Sequence, residues 1–167
     1  MMMKKILVAM AFTALLVGCD SKPDAPFGLT WGQSMESINF VKDGNCETKE
    51  NITTCKFENQ KPFNQWSYSN ELTFDKGALV KVISTFAGID GRNPSFQNFN
   101  EKLNIEADFL QKNGFNADLI TKIKQNCQNS EACDKTSERF TTPIGNISIW
   151  LTTKSTHNPI GVVTFTP

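Results

Sequence analysis

The strongest structural signal in this sequence is the stretch WSYSNELTFDKGALVKVISTF, residues 66–86. Large apolar residues occupy alternate positions on both sides of Asp75-Lys76-Gly77, which is typical of two half-buried strands joined by a tight turn. Gly77 can adopt the left-handed conformation that such a turn requires. The inward positions are expected to be Trp66, Tyr68, Leu72 and Phe74 on the first strand and Val80, Val82 and Phe86 on the second. This stretch therefore predicts an antiparallel hairpin.

Beyond the hairpin, the apolar spacing changes to three or four residues, which indicates an amphipathic helix. Its inward residues would be Phe96, Phe99, Leu103, Ala107 and Leu110, and Asn113-Gly114 would end it. Its carboxylates Glu101, Glu106 and Asp108 are expected on the wet side. A second helix follows Asn116, with Leu119, Ile120 and Ile123 inward. Alternation then returns at Ile147, Ile149 and Leu151 and continues at Val163 and Phe165, so we predict an α+β domain whose antiparallel sheet has helices packed on one face.

The amino terminus, MMMKKILVAMAFTALLVGC, has the features of a bacterial lipoprotein signal. Lys4 and Lys5 form the positive region, and the apolar run 6–17 is shorter than the ~20 residues that span a bilayer. Leu16-Val17-Gly18-Cys19 matches a lipobox, in which Cys19 becomes the acylated first residue, with palmitate among its expected fatty acids. A plain anchor helix or an ordinary secretory signal is the alternative.

These features predict three segments: a cleaved signal at 1–18, a lipidated polar tether at 19–26 (CDSKPDAP), and a periplasmic domain at 27–167. Asp20, directly after the acylated residue, favours retention in the inner membrane over delivery to the outer membrane. The alternative is that Asp20 is simply the first polar residue of the tether.

Four cysteines remain after Cys19, and an even number in an exported chain favours disulfides. Three connectivities are possible, of which the two local pairs, Cys46–Cys55 and Cys127–Cys133, are the simplest. A four-cysteine zinc site is the alternative, but neither pair has the two-to-four-residue spacing that zinc ligands usually show. We therefore expect structural disulfides, no metal and no cofactor.

The start of the predicted domain reads Phe27-Gly28-Leu29-Thr30-Trp31-Gly32-Gln33-Ser34. Its alternation over 27–31 suggests a strand, and Ser34 could cap a short helix that carries Met35, Ile38 and Val41. This element resembles the F-G-L-x-W-G-x-S opening of a loose set of small, mostly uncharacterised bacterial lipoproteins. The resemblance implies a single-domain periplasmic lipoprotein, but it supplies no activity and no site residue.

Composition and motifs narrow the possible functions. The chain has 17 basic and 17 acidic residues, and only two of the basic ones lie in the signal, so no basic excess points to nucleic acid. The single histidine, His157, lies just before Asn158-Pro159, in a stretch typical of a turn. The sequence has no nucleophile elbow, phosphate-binding loop or metal-binding motif. We therefore expect a protein that is not an enzyme; an envelope hydrolase is the minor alternative.

Trp150 is the candidate partner-binding residue, because it falls on the polar phase of the strand that carries Ile149 and Leu151. Either helices cover that face of the sheet, or Trp150 is exposed and available to a partner. The expected function is therefore binding of an envelope protein. The alternative is an inhibitor or immunity lipoprotein that neutralises a toxin or lysozyme through the disulfide-braced loop between Cys46 and Cys55.

Overall fold

A computed structural model of the protein describes residues 23–90, 93–154 and 158–167. The predicted signal peptide (1–18), Cys19, Asp20 and His157 lie outside the described residues. Ala25 and Pro26 are buried, so packing of the domain begins before Phe27. The fold is α+β in one domain, as the sequence predicts.

In the described residues, seven strands form one antiparallel sheet, and three α-helices lie between its fourth and fifth strands along the chain. The elements are β1 Asn45–Lys49, β2 Ile52–Phe57, β3 Ser69–Asp75, β4 Ala78–Ala87, β5 Ile89–Asp90, β6 Asn93–Pro94, α1 Phe96–Lys112, α2 Ala117–Asn126, α3 Ser130–Cys133, β7 Ser137–Thr142, β8 Gly145–Thr152 and β9 Ile160–Thr166. The large sheet has the order β1-β2-β3-β4-β9-β8-β7, and β5 and β6 form a separate small ladder. β1 and β7 are therefore the edge strands.

The predicted hairpin is β3–β4, with one change of register. Lys76 and Gly77 have φ values of 49° and 82°, as a two-residue type I′ turn requires. The pairing shifts between Thr73 and Phe74, so Phe74 lies opposite Leu79 and Val80 is the extra residue of a bulge. The prediction that Val80 faces inward is therefore wrong, and Leu79 is buried instead.

The first strand of the hairpin is also shorter than predicted. β3 begins at Ser69, which leaves Trp66 in the preceding loop and Tyr68 59% exposed. The inward phase of β3 is completed by Asn70, whose amide donates to Ser67 Oγ at 2.8 Å. The alternation of apolar residues at Trp66, Tyr68, Leu72 and Phe74 therefore begins in the loop before β3, where no strand is formed.

Both predicted helices are confirmed. Ser95 Oγ accepts from the Asn98 amide at 3.0 Å and caps α1, and Asn116 Oδ1 accepts from two amides at the start of α2. α1 ends at Lys112, and Gly114 follows with a φ of 91°. The helix ends therefore follow the side-chain and glycine capping that the sequence contains.

The segment from Phe27 to Val41 lacks the predicted strand, and the predicted short helix is present only as 3-10 turns. It forms three short 3-10 turns, Pro26–Gly28, Met35–Ser37 and Asn39–Asp43, and Ser34 makes no capping hydrogen bond. The reason is tertiary: the backbone around Gln33 is hydrogen-bonded to the β3–β4 turn and to β4. Gly32 N donates to Leu79 O, Leu79 N to Gln33 O, and Met35 N to Gly77 O.

The two faces of the large sheet differ in burial. The inward phase carries Leu72, Phe74, Val82, Phe86, Ile147, Ile149, Leu151, Val163 and Phe165, all at most 1% exposed. α1 packs on this face, where Phe99 stacks on Phe86 with ring centroids 5.5 Å apart. We call this the core face and the opposite face the open face.

Both local disulfides are present, as predicted. Cys46–Cys55 joins directly paired residues of β1 and β2 on the core face, and it braces one edge of the sheet. Cys127–Cys133 joins the end of α2 to α3, and both of its cysteines are fully buried.

Candidate functional site

Trp150 lies on the open face and is 46% exposed. Its neighbours in the sheet are Ser137 on β7 and Val162 on β9, which share its row in the register. Ile149 and Leu151, on either side of it in the chain, are fully buried on the core face. Of the two alternatives that the sequence leaves open, the structure therefore has the exposed Trp150.

Next to Trp150 lies a shallow groove of about 750 Å³ across β7, β8 and β9. It is lined by Arg139, Phe140, Thr141, Asn146, Ile147, Ser148, Thr164 and Thr166. Most of these residues have the open-face phase, and Arg139 pairs with Ser148, two residues before Trp150 on β8. Since side chains two residues apart in a strand are about 7 Å apart, Arg139 and Trp150 occupy adjacent rows of one surface. We call this surface the Trp150–Arg139 patch.

Cationic charge predominates on this half of the open face. Among the described residues of β4, β9, β8 and β7, the open-face phase carries Arg139 and Lys81 and no carboxylate. Glu138 has the opposite phase, and Lys122 of α2 pairs with it at 2.6 Å. The patch therefore combines an aromatic side chain, hydroxyl groups and a guanidinium, the group best suited to bind a carboxylate in a bidentate way.

The other end of the sheet is different. A groove of about 680 Å³ on β1 and β2 is lined by Asn45, Glu47, Lys49, Glu50, Ile52, Thr54, Lys56 and Glu71. Charges of both signs alternate there, and Ile52, just after the turn, is 41% exposed. The disulfide between Cys46 and Cys55 fixes this hairpin on its other face.

One carboxylate of α1, Glu106, is buried, which corrects the prediction that it lies on the wet side. It is 1% exposed, and its Oε2 accepts from Trp66 Nε1 at 2.5 Å and, at 3.5 Å, from Asn64 Nδ2. Its Oε1 is buried and has no hydrogen-bond partner among the described residues. Burial raises the pKa of Glu106 to about 7, although both hydrogen bonds act to lower it.

The sequence does contain a signal for this burial. Glu106 is three residues after Leu103 and four before Leu110, and both leucines are fully buried, so its position lies on the apolar stripe of α1. Glu101 and Asp108 are exposed, as predicted.

A further carboxylate, Asp134, organises the connection between α3 and the end of β8. Its Oδ1 accepts from Thr153 N at 2.8 Å and from Lys154 N at 3.1 Å. These backbone hydrogen bonds, with a smaller contribution from Thr152, hold the pKa of Asp134 below its ordinary value. Asp134 is half-buried, and these hydrogen bonds anchor the connection locally.

Two observations concern other classes of site. Within 23–90, 93–154 and 158–167, no group of three or more His, Cys, Asp or Glu residues could hold a metal ion. In the same residues, no helix combines the length and the apolar character needed to cross a membrane.

No protein-family model matches the chain, and no curated protein or solved structure matches it.

Proposed function

We propose that this protein is a lipid-anchored periplasmic protein with a non-enzymatic role, which binds an envelope protein through the Trp150–Arg139 patch. The observation that carries the proposal is the exposure of Trp150 on a sheet face whose opposite side holds the whole apolar core. Exposed Trp and Arg side chains are the residue types most enriched where protein interfaces concentrate their binding energy.

The patch also indicates the chemistry of the partner. Arg139 and Lys81 have no carboxylate on the described strands of their half of the open face, so a partner with an acidic segment would complement them. An apolar side chain of the partner beside that acidic segment would pack on Trp150 and Val162. Binding of this kind weakens as the salt concentration rises.

The same geometry supports a non-enzymatic role. Glu106 is the one described carboxylate with a raised pKa, but it lines neither groove and lies under Trp66 in the core. A general acid must reach its substrate, and Glu106 has no such access.

Anchoring rests on the lipobox that ends at Cys19. The chain from Cys19 to the first buried residue, Ala25, can extend to roughly 20 Å at about 3.5 Å per residue. Two or three acyl chains, each adding ~0.8 kcal/mol per buried methylene, would hold the protein stably. Cys19→Ala should abolish fatty-acid labelling and release the domain, and labelling that persists in this variant would refute the anchor.

Sorting is proposed to depend on Asp20, which would retain the protein in the inner membrane. Separation of the two membranes on a sucrose gradient should place the native protein in the inner-membrane fraction and Asp20→Ser in the outer-membrane fraction. A native protein in the outer membrane, or an unchanged distribution of Asp20→Ser, would show that Asp20 has no sorting role.

The binding surface can be mapped in living cells with a photo-crosslinking amino acid placed at single positions. Incorporation at Ser148 or Thr164, on the open face, should give one adduct of defined mass, and Trp150→Ala should abolish it. Incorporation at Asp118 or Glu101, on the exposed side of the helices, is the matched control and should give none. Equal adducts from both sets would contradict the proposal.

An inhibitor or immunity role is the second candidate, and the β1–β2 hairpin favours it. Its tip is exposed at Glu50 and Ile52, while the disulfide and the ladder with β3 hold its shape, as suits insertion into a partner's cleft. A crosslinker at Glu50 that captures a partner, with none captured at Ser148, would support this role and refute the open-face proposal.

A further inference from the structure

The contact between α1 and the loop 58–68 has a buried carboxyl group, that of Glu106, at its centre. This loop joins β2 to β3 and places Trp66 Nε1 2.5 Å from Glu106 Oε2, with Asn64 Nδ2 as the second donor. Ser67 Oγ donates to Asn64 O at 2.7 Å, which fixes the loop's own backbone. Among the described residues, both hydrogen-bond donors to the buried Glu106 carboxyl therefore lie on this loop.

The same contact continues into the amino-terminal segment. The Trp66 ring lies edge-on to Phe109, 6.1 Å away between centroids, and Phe109 stacks on Phe27 at 5.8 Å. Phe27 in turn meets Phe63 of the loop edge-on at 5.3 Å. Glu106, one turn before Phe109 on α1, thus lies beneath the place where the chain enters the domain.

We propose that Glu106 and Trp66 form a proton-controlled latch, closed when the Glu106 carboxyl is protonated and weakened when it ionises, that regulates how firmly the loop 58–68 and the segment around Phe27 dock on α1. Ionisation releases one proton and leaves a negative charge in a buried site where one oxygen, Oε1, has no partner among the described residues. Hydration of this charge requires the loop 58–68 to move away, since Glu106 is 1% exposed and the loop supplies both of its donors, Trp66 and Asn64. The latch is a property of the fold and does not depend on the identity of the partner.

Within the part of the chain that the structure describes, no charged neighbour compensates the ionised form. Burial raises the pKa of Glu106, the hydrogen bonds from Trp66 and Asn64 act to lower it, and no neighbouring charge contributes. The charged groups on the surrounding elements are exposed or engaged elsewhere: Asp24, Glu58 and Lys61 before β3, Lys81 on the open face of β4, Glu101, Lys102, Asp108 and Lys112 on α1, and Asp118, Lys122 and Lys124 on α2. Lys102, for example, donates to Ala87 O and Ile89 O.

Hydrogen exchange followed by mass spectrometry tests the latch in the folded protein. After correction for intrinsic exchange rates, protection of peptides covering 58–68 and 25–32 should fall as the pH rises from 6 to 8. The decrease should approach tenfold per pH unit while the pH is below the folded-state pKa of about 7, and it should level off above that pKa, where the carboxyl is ionised in both states. Glu106→Gln retains an acceptor for Trp66 and should make protection independent of pH, whereas Glu101→Gln, on the exposed side of the same helix, should behave as the native protein.

A second variant keeps the test decisive if Glu106→Gln folds poorly. Trp66→Phe keeps an aromatic ring but removes the N–H donor that favours the ionised form, so the midpoint of the transition should move to higher pH. The latch is refuted if native protection is the same at pH 6 and pH 8. It is equally refuted if Glu106→Gln shows the native pH dependence, or if Trp66→Phe leaves the midpoint unchanged.

Discussion

The two sides of the large sheet each have one residue of unexpected character. On the core side, α1 buries a carboxylate, Glu106, and on the open face an indole, Trp150, is exposed. Buried polar groups and exposed large apolar groups are the informative exceptions to the usual distribution, because each costs free energy unless something offsets it. On the core face, the offset is protonation and two hydrogen bonds. On the open face, we propose that the offset is a partner.

The largest expected difference between the faces is in stability. Phe165→Ala removes a fully buried ring from the core face and should lower the free energy of unfolding by about 3–5 kcal/mol, because a cavity remains. Trp150→Ala should lower it by less than about 1 kcal/mol, since the side chain is already half in water. Urea denaturation of both variants measures the contrast. A loss of several kcal/mol for Trp150→Ala would mean that Trp150 is a core residue.

The next effect concerns pH and Glu106. Its pKa is raised from 4.5 to about 7 in the folded protein, so the folded state binds the proton more tightly than the unfolded state. The stabilising contribution is therefore fully present below about pH 4.5 and is lost as the pH rises through about 7. The corresponding decrease in unfolding free energy is about 3 kcal/mol.

Urea denaturation between pH 4.5 and 8 should show this decrease in the native protein and a flatter profile in Glu106→Gln. Glu101→Gln, exposed on the same helix, should keep the native profile. Identical profiles for all three proteins would show that Glu106 ionises normally in the folded state.

Local sequence patterns predict most of the secondary structure but not the features that depend on tertiary contacts. The hairpin, both long helices, the later strands and both disulfides follow from local patterns, because alternation, capping and cysteine spacing are local properties. The inward position of Leu79 does not follow, because the bulge at Thr73 and Phe74 arises only when two strands pair. The 3-10 turns between Phe27 and Val41 likewise depend on hydrogen bonds to a distant turn and strand.

The residues of the candidate site also differ in whether the sequence predicts them. The sequence identifies Trp150 by its phase in the strand, but its exposure depends on which face the helices cover. The sequence does not identify Arg139 as a site residue, because its alignment with Ser148 and Trp150 depends on the β7–β8 register. Glu106 could have been found from its spacing to Leu103 and Leu110.

The two disulfides should stabilise the fold by similar free energies, but each should protect a different region from hydrogen exchange. Replacing both cysteines of either pair by alanine should lower the free energy of unfolding by roughly 2–3 kcal/mol, mainly through the entropy of the unfolded chain. Loss of Cys46–Cys55 should increase hydrogen exchange in β1 and β2, and loss of Cys127–Cys133 should increase it between α2 and β7. Peptide mapping without reduction verifies the pairings, and a crossed pair such as Cys46–Cys127 would contradict the fold.

The smallest expected effect is at Asp134, on the connection between the helices and the sheet. The backbone amides of Thr153 and Lys154 lower the pKa of Asp134 in the folded protein. Its contribution to the free energy of unfolding is therefore present above the pKa of the unfolded state and is lost as the pH falls through the pKa of the folded state. Asp134→Asn should therefore have a lower melting temperature than the native protein at pH 7, with the difference shrinking toward pH 3. A difference independent of pH would show that the charge is not involved.

The most direct test of the open-face account is the affinity for the protein that crosslinks at Ser148, measured by calorimetry with purified domains. The account predicts that Trp150→Ala and Arg139→Ala each weaken binding at least tenfold, equivalent to about 1.4 kcal/mol, and that the loss for Arg139→Ala shrinks as salt is added. Ile52→Ser, an equally exposed apolar position on the β1–β2 hairpin, should leave the affinity unchanged. Native affinity in Trp150→Ala together with weakened binding in Ile52→Ser would contradict the account and place the interface at the hairpin.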